Sequence, residues 1–345
     1  MLKKVAFWSV VLLPAVIACA LVLLFATAAY EIRIIRDAEE YTRAVVPFQK
    51  LARDVYSRQR SIWQTQSHCI VFDEVLFYKP RPGKCELNNI EFSTVLTFDS
   101  RGFRKTSPPM QQDKNRPHRG RIIVLGDSQA MGWGVQDEET FASVLAAEHG
   151  FEVFNLAVSS YGTARELLRL RKEFDLQKGD TVVIQYHPND ANENSWFVNR
   201  GGGLRLHSSS ELGKLVHFPQ RYEVLQVSKS ITVTILANLK RKLFGNSSIR
   251  GDLAETFLAV IDHFPELAQA KVVVCEVPDF GEATSFTNKL QRLTDGRITV
   301  LEPVWETSDF YRLDAHLNSI GHHKLANLIA ATILSDQVAS NSMPL

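Results

Sequence analysis

Ile122-Ile123-Val124-Leu125-Gly126-Asp127-Ser128 is a run of four apolar residues that ends in a glycine, an aspartate and a serine. Such a run reads as a short buried strand. Ser128 then stands at the strand's C-terminal end, where a side chain is held firmly yet left open to solvent, as a nucleophile requires. Far downstream, Asp314-Ala315-His316-Leu317-Asn318 supplies a carboxylate and an imidazole two residues apart. Together they make a Ser/His/Asp set in the chain order Ser, Asp, His. Each piece alone is common, since Gly-Asp-Ser is mostly a turn and Asp-x-His mostly a solvated loop. What joins them is position. The serine follows the first strand of the globular part, and the histidine precedes the last amphipathic helix, at 321–334. Between them Tyr186-His187-Pro188-Asn189-Asp190 follows the apolar run Thr181-Val182-Val183-Ile184-Gln185. Ser128 and Asn189 therefore sit past strand C-terminal ends, the edge at which open α/β sheets bind ligands.

The pattern around these strands alternates. Strands are expected at 121–126, 152–156, 181–186, 271–276 and 298–301. Helices are expected near 139–149 (closed by Gly150), 163–176 and 252–269, and from about 319 onward. This rhythm predicts a mainly parallel five-stranded sheet with helices on both faces, a three-layer α/β/α fold. Residues 195–250 break it. Gly201-Gly202-Gly203 and Ser208-Ser209-Ser210 read as flexible, and Lys240-Arg241-Lys242 is a small basic cluster. A lid, a membrane-facing patch and a solvated insertion all fit that segment.

The N-terminal part is of another kind. Val5–Tyr30 is an uncharged, mostly apolar run of 26 residues, longer than the roughly 20 needed to cross a bilayer and than the apolar core of a cleaved signal. It predicts one transmembrane anchor over 1–30 and a single-pass protein. Lys3 and Lys4 precede the run while Arg33, Arg36 and Arg43 follow it, so the charge bias for orientation is ambiguous. Residues 31–118 read as a helical stalk, interrupted at Pro47, and a small pre-catalytic region of short β-like pieces. The Pro- and charge-rich stretch 106–119 reads as a linker. The α/β domain that carries Ser128 and His316 is then 119–340, with an insertion at about 195–250. Cys69 and Cys85 lie in the pre-catalytic region as a candidate disulfide, which would imply an oxidising compartment. With 39 basic and 38 acidic residues the net charge is +1, and no nucleic-acid partner is implied. No cofactor or metal is called for. His322-His323 resembles a ligand pair only superficially.

These blocks resemble the SGNH (GDSL-type) hydrolase family over roughly residues 95–336. Gly126-Asp127-Ser128 matches its first block, whose longer form in membrane-attached members resembles the stretch through Val135. Asn155-Leu156-Ala157-Val158-Ser159-Ser160-Tyr161-Gly162-Thr163 resembles its second, His187-Pro188-Asn189-Asp190 its third, and Asp314-Ala315-His316 its fifth. The resemblance implies a flavodoxin-like sheet, Ser128 as nucleophile, His316 as base and Asp314 as its orienting carboxylate. It also implies an oxyanion hole of the Ser128 and Ser160 backbone N–H groups and the Asn189 side-chain amide, with Gly162 replacing Ser160 if the register shifts by two. Two residues depart from the family pattern, which has glycine at Ser160 and at His187. Asp127, Trp133 and His187 are candidate pocket residues, with Asp127 more suited to shaping the loop than to chemistry.

The chemistry expected is ester hydrolysis through an acyl-serine. The implied substrate is a small acyl group, such as acetyl, on a cell-surface glycan. An acyltransferase using the same residues and a silent binding or scaffold module are the alternatives. The implied place is a bacterial inner membrane with the catalytic domain on the periplasmic or extracellular side, among envelope or polysaccharide-assembly proteins.

Overall fold

The computed structural model describes residues 2–108, 119–214, 222–244, 252–281 and 284–341. Most of the expected 106–119 linker lies outside them. The chain divides into two compact units, 1–61 with 218–248, and 62–217 with 249–345.

In the first unit, helix α1 (Leu2–Arg36) runs unbroken through Pro14. Its stretch Leu13–Arg36 includes an 18-residue window that has a mean hydropathy of 2.3 and is almost uncovered by protein. At 1.5 Å per residue it is about 36 Å long, enough for a hydrocarbon core of about 30 Å. The stalk is interrupted just ahead of Pro47, and once before that. It breaks at Asp37, whose carboxylate accepts the Glu39 and Glu40 N–H groups and starts α2 (Ala38–Arg43), and again just before α3 (Val46–Gln59). Pro47 sits in the first turn of α3, where its missing N–H has no helical partner to lose. Residues 224–244 of the expected insertion form a long helix that groups with this unit. There Arg58 Nε donates to Thr234 Oγ1 at 3.1 Å and Gln59 Nε2 to Ser230 Oγ at 2.6 Å.

In the second unit, two antiparallel hairpins come first: β1 (Ile70–Asp73) with β2 (Phe77–Pro80), and β3 (Gly83–Asn88) with β4 (Ser93–Phe98). A disulfide joins Cys69 to Cys85 across them. Five strands then form one sheet: β5 (Arg121–Leu125), β6 (Glu152–Asn155), β7 (Thr181–Tyr186), β8 (Lys271–Glu276) and β9 (Ile298–Leu301), in the order β6-β5-β7-β8-β9. Every pair is parallel. This is the flavodoxin-like order, with its switch point at β5.

Alternation along β5 shows why the sheet is covered on both sides. Ile122 and Val124 enter one core, and Ile123 and Leu125 enter the other. The first core is closed by α5 (Phe141–Ala147) and α12 (Ser319–Asn341). The second is closed by α6 (Thr163–Glu173), α10 (Leu253–Ile261) and α11 (Phe286–Leu293). Between β5 and α5 stands a one-turn helix, α4 (Ser128–Met131), and α7 (Asp190–Asn199) follows β7. The segment read as flexible at Ser208 instead caps a short helix, α8 (Ser209–Leu212), through reciprocal bonds with Glu211.

The loop after α4 is held by an arginine ahead of the sheet. The Arg104 backbone bridges Phe98 and the β6 residue Asn155. Its buried guanidinium donates to Asp137 Oδ1 at 2.7 Å and to the carbonyls of Met131 and Val135 at 3.3 and 3.0 Å. Breaking the Cys69–Cys85 link frees a loop of 16 residues, which costs about 3 kcal/mol of unfolding free energy. Cys85→Ala is expected to lower the urea midpoint accordingly, and a reductant should shift the wild type to the same midpoint while leaving the variant unmoved.

Candidate functional site

Gly126 turns the chain out of β5 at φ +151°. A Cβ there would come within 2.6 Å of Ala130 Cβ and 2.7 Å of Gln185 Oε1, so only glycine fits. Gln185, from β7, fixes the turn by accepting the Asp127 and Ala130 N–H groups at 3.3 and 3.1 Å. Asp127 caps α4 by accepting the Gln129 N–H at 2.9 Å. Ser128 is thereby set at the start of α4, at the C-terminal edge of the sheet.

His316 reaches Ser128 from the other end of the chain. Its Nε2 lies 2.7 Å from Ser128 Oγ, and its Nδ1 is hydrogen-bonded to Asp314 Oδ1. With Nδ1–H donating to the carboxylate, Nε2 is left to accept the serine hydroxyl. Trp133 packs flat on the imidazole, with ring centroids 4.9 Å apart, and donates its Nε1–H to Asp314 Oδ2 at 3.2 Å. It therefore restrains both members of the pair.

Two further groups, neither of them singled out in the sequence, hold this loop in place. The Gln129 amide donates to the Ala315 carbonyl at 2.9 Å and accepts the Leu317 N–H at 3.0 Å, so the residue beside the serine grips both neighbours of His316. Glu91, in the turn between β3 and β4, accepts the N–H groups of Leu313 and Asp314 at 2.8 and 2.9 Å. Gln129 is adjacent to Ser128 in sequence, but nothing in the chain marks its partners 186 and 188 residues away.

The loop after β6 runs alongside. The Val158 N–H donates to the Gly126 carbonyl at 3.0 Å, which brings the second block beside the first. Ser160 has φ +64°, the left-handed region that costs a residue with a Cβ about 1–2 kcal/mol. Its hydroxyl accepts Gln64 Nε2 at 2.7 Å, and the Ser159 hydroxyl donates to Gln64 Oε1 at 3.2 Å. Tyr78 donates to the Ser159 carbonyl at 2.7 Å. The strained serine is thus gripped from outside the sheet, a role the sequence reading missed because Gln64 lies almost a hundred residues upstream in an unremarkable polar stretch. Gly162 has an ordinary extended conformation, and its N–H donates to Glu193 Oε1 at 2.9 Å. The left-handed turn is at Ser160, and Gly162 already has a partner.

Asn189 starts α7 and donates Nδ2–H to Asp127 Oδ2 at 3.2 Å. That leaves its second amide hydrogen for another acceptor. His187 is buried beside it, with Nδ1 accepting the Asn189 N–H and Nε2 facing Asp279, each at 3.2 Å. Burial opposes a charge on this ring, but the hydrogen bond to Asp279 and the Asp127 and Asp190 carboxylates outweigh it and raise its pKa to about 9. A second proton would go on Nδ1 and face the Asn189 N–H. The adjacent histidines at 322 and 323 have protein partners. His322 Nδ1 accepts the Phe141 N–H at 3.2 Å, and burial, then the Arg104 and His316 charges, push its pKa down to about 3. His323 pairs with Glu148 at 2.8 Å. Cys69 and Cys85 come near His68, but as a disulfide they are poor metal ligands.

Behind the site lies a group of buried acids. Both carboxyl oxygens of Glu166 are buried and lack a hydrogen-bond partner among the described residues. Burial, then the charges of Asp190, Asp127 and Glu193, hold Glu166 well above its ordinary value of 4.5.

Neither a family model nor a curated protein matches the sequence. Solved structures similar to the chain include a lipolytic protein of the G-D-S-L family from Veillonella parvula, at 11% identity and TM-score 0.37, covering 61% of this chain and 96% of that one. A GDSL-like lipase from Bacteroides thetaiotaomicron aligns at 13% identity and TM-score 0.35, over 63% of this chain and 88% of its own. A catalytic mutant of an acetylxylan esterase from Geobacillus stearothermophilus aligns at 11% identity and TM-score 0.37, over 63% and 95%.

Two outcomes test this geometry. Gln64→Ala should lower kcat about tenfold at unchanged KM, less than the 10²–10³ expected for losing an oxyanion donor outright. Ser160→Gly, which needs no support at positive φ, should restore most of that loss in the double variant. Separately, a carboxyl held above its unfolded pKa keeps a proton that the unfolded chain releases, so stability falls as pH rises past 4.5. Glu166→Gln removes that titration, and its urea midpoint should decline less than the wild type's between about pH 5 and 8.

In fold, the second unit is a five-stranded parallel sheet in the order β6-β5-β7-β8-β9 with helices on both faces, and Ser128, Asn189 and His316 lie at its C-terminal edge.

Proposed function

We propose that this protein is a membrane-anchored serine esterase of the SGNH type, and that it removes a small acyl group from a glycan at the cell surface. The observation that carries the reading is the contact of Ser128 Oγ with His316 Nε2 at 2.7 Å, with Asp314 on the far nitrogen. An alcohol is a poor nucleophile at neutral pH and needs such a base. His316 takes the proton as Ser128 Oγ attacks the ester carbonyl, and Asp314 stabilises the imidazolium. The oxyanion is received by the N–H groups of Ser128 and Ser160 and by the uncommitted hydrogen of Asn189 Nδ2. Collapse of the intermediate expels the alcohol with the proton from His316. Water activated by the same imidazole then releases the acid and restores Ser128.

His187 supports a small acyl group, because a buried imidazole beside Asn189 occupies room that a glycine would leave. The apolar α1 supports an anchor, and the Cys69–Cys85 disulfide supports an oxidising compartment, hence a catalytic domain on the periplasmic or extracellular side of a bacterial inner membrane. The organisation that follows is anchor, stalk and pre-catalytic region, then hydrolase domain. A glycan-assembly machinery is the partner this placement suits.

The test is fluorophosphonate labelling of the full-length chain in detergent, with p-nitrophenyl acetate hydrolysis measured alongside. Labelling should vanish in Ser128→Ala and His316→Ala, and Asn189→Ala should lose about 10²–10³ in kcat. Labelling that survives Ser128→Ala would refute the assignment of the nucleophile.

A further inference from the structure

Helix α9 (Val224–Phe244) has two apolar faces, and the first unit covers one of them. Val227, Ser230, Ile231 and Thr234, spaced i, i+3, i+4 and i+7, are buried against its neighbours α1 and α3. Leu225, Leu236, Leu239 and Leu243 fall within a narrow arc on the opposite side at 3.6 residues per turn. They are 57, 59, 49 and 65% exposed. Exposed Lys229 and Thr232 separate Leu225 from the others on this side, and Leu236, Leu239 and Leu243 form an apolar patch toward the helix C-terminus, the kind of surface that marks an occupant.

Two observations name the occupant. The same side of α9 adjoins the candidate membrane span: Leu21, Leu24 and Phe25 of α1 and Leu225, Thr232 and Val233 of α9 line one groove of about 430 Å³, with Ser228 and Lys229 on its α9 side. Apolar surface beside a span meets acyl chains. The second observation is charge. Helix α9 contains no acidic residue, and its far end carries Lys240-Arg241-Lys242, all exposed, which suits the phosphates of anionic headgroups. A basic end on an apolar face is the pattern of a helix lying in a membrane interface, with lysine and arginine stems reaching to the polar layer.

We propose that α9 is a second membrane contact. Its outer face lies in lipid beside α1, acyl chains occupy the groove, and the 240–242 cluster lies at headgroup phosphates. The proposal rests on the reading of α1 as a span and is independent of the chemistry at Ser128. Its consequence is a stalk held to the bilayer along two helices instead of one, which restricts how the first unit tilts at the surface.

The experiment uses the full-length chain with Cys19→Ser, since Cys275 is buried and the other two cysteines form the disulfide. Nitroxides are placed at Leu236→Cys and Leu239→Cys, at Leu23→Cys as the lipid reference, and at Val304→Cys, which is 77% exposed, as the water reference. The protein is held as single copies in nanodiscs of phosphatidylcholine and phosphatidylglycerol, and relaxation by oxygen is compared with relaxation by a water-soluble nickel chelate. Positions 236 and 239 should match position 23, favouring oxygen. If they match position 304 while position 23 favours oxygen, the proposal is overturned. If they are shielded only when two copies share a disc, the patch is a self-association surface and the proposal is likewise overturned. If position 23 itself reads as water, the span reading fails and the proposal with it.

Discussion

The constraint on which the second unit depends is that parallel strands must all end at the same edge of their sheet. Each return passes over a face as a helix, so the residues that follow β5, β6 and β7 are delivered to one side whatever their separation in the chain. Backbone bonds from Leu156 to Val124 and from Val158 to Gly126, at 2.9 and 3.0 Å, carry the register of the sheet beyond the last paired strand residues and into the loops. The loops that carry Ser128, Ser160 and Asn189 meet at this edge, through Val158 on Gly126 and Asn189 on Asp127, because the ladder leaves them no alternative. The final loop, with Asp314 and His316, reaches the same edge from β9 before α12 closes the first core.

The ladder brings backbones together but does not orient side chains, and here that task falls to amides and carboxylates from elsewhere. Gln185 fixes the turn that presents Ser128. Gln129 ties the serine helix to the histidine loop. Glu91 and Gln64 reach in from ahead of the sheet, one to the Asp314 loop and the other to the left-handed Ser160. A side chain whose own position is fixed by several bonds can hold a reacting group within the small tolerance that catalysis demands. The segment ahead of the sheet, 62–98, is therefore part of the framework around Ser128 and His316. Its disulfide secures the region that supplies Gln64 and Glu91.

Several residues with an ambiguous reading from sequence acquire definite surroundings. Asp127 is a cap and an anchor for Asn189, bonds a short polar side chain makes readily at a helix start. Trp133 lies flat on His316 and shares Asp314 with it. Pro47, expected to interrupt the stalk, stands in the first turn of α3 just past the extended Ala44 and Val45, because proline stops a helix that reaches it but suits one that starts there. The insertion at 195–250, for which a lid, a membrane-facing patch and a solvated insertion all fitted the sequence, contains a helix of 21 residues. Its apolar positions face both ways, so its period is masked.

By itself the sequence determined the five strands, their alternation with helices, the apolar N-terminal run and the blocks around Ser128, Asn189 and His316. Each of these is local: a run of β-branched residues, a glycine that permits one turn, a stretch free of charge. Only the tertiary structure decided which polar side chains serve those blocks and which unit the 224–244 helix joins. Gln64, Glu91, Gln129 and Gln185 are ordinary polar residues along the chain. Their partners lie from 55 to 223 residues away, and a hydrogen bond across such a distance leaves no periodicity and no composition to read. It exists only once burial of the two cores has brought its ends together.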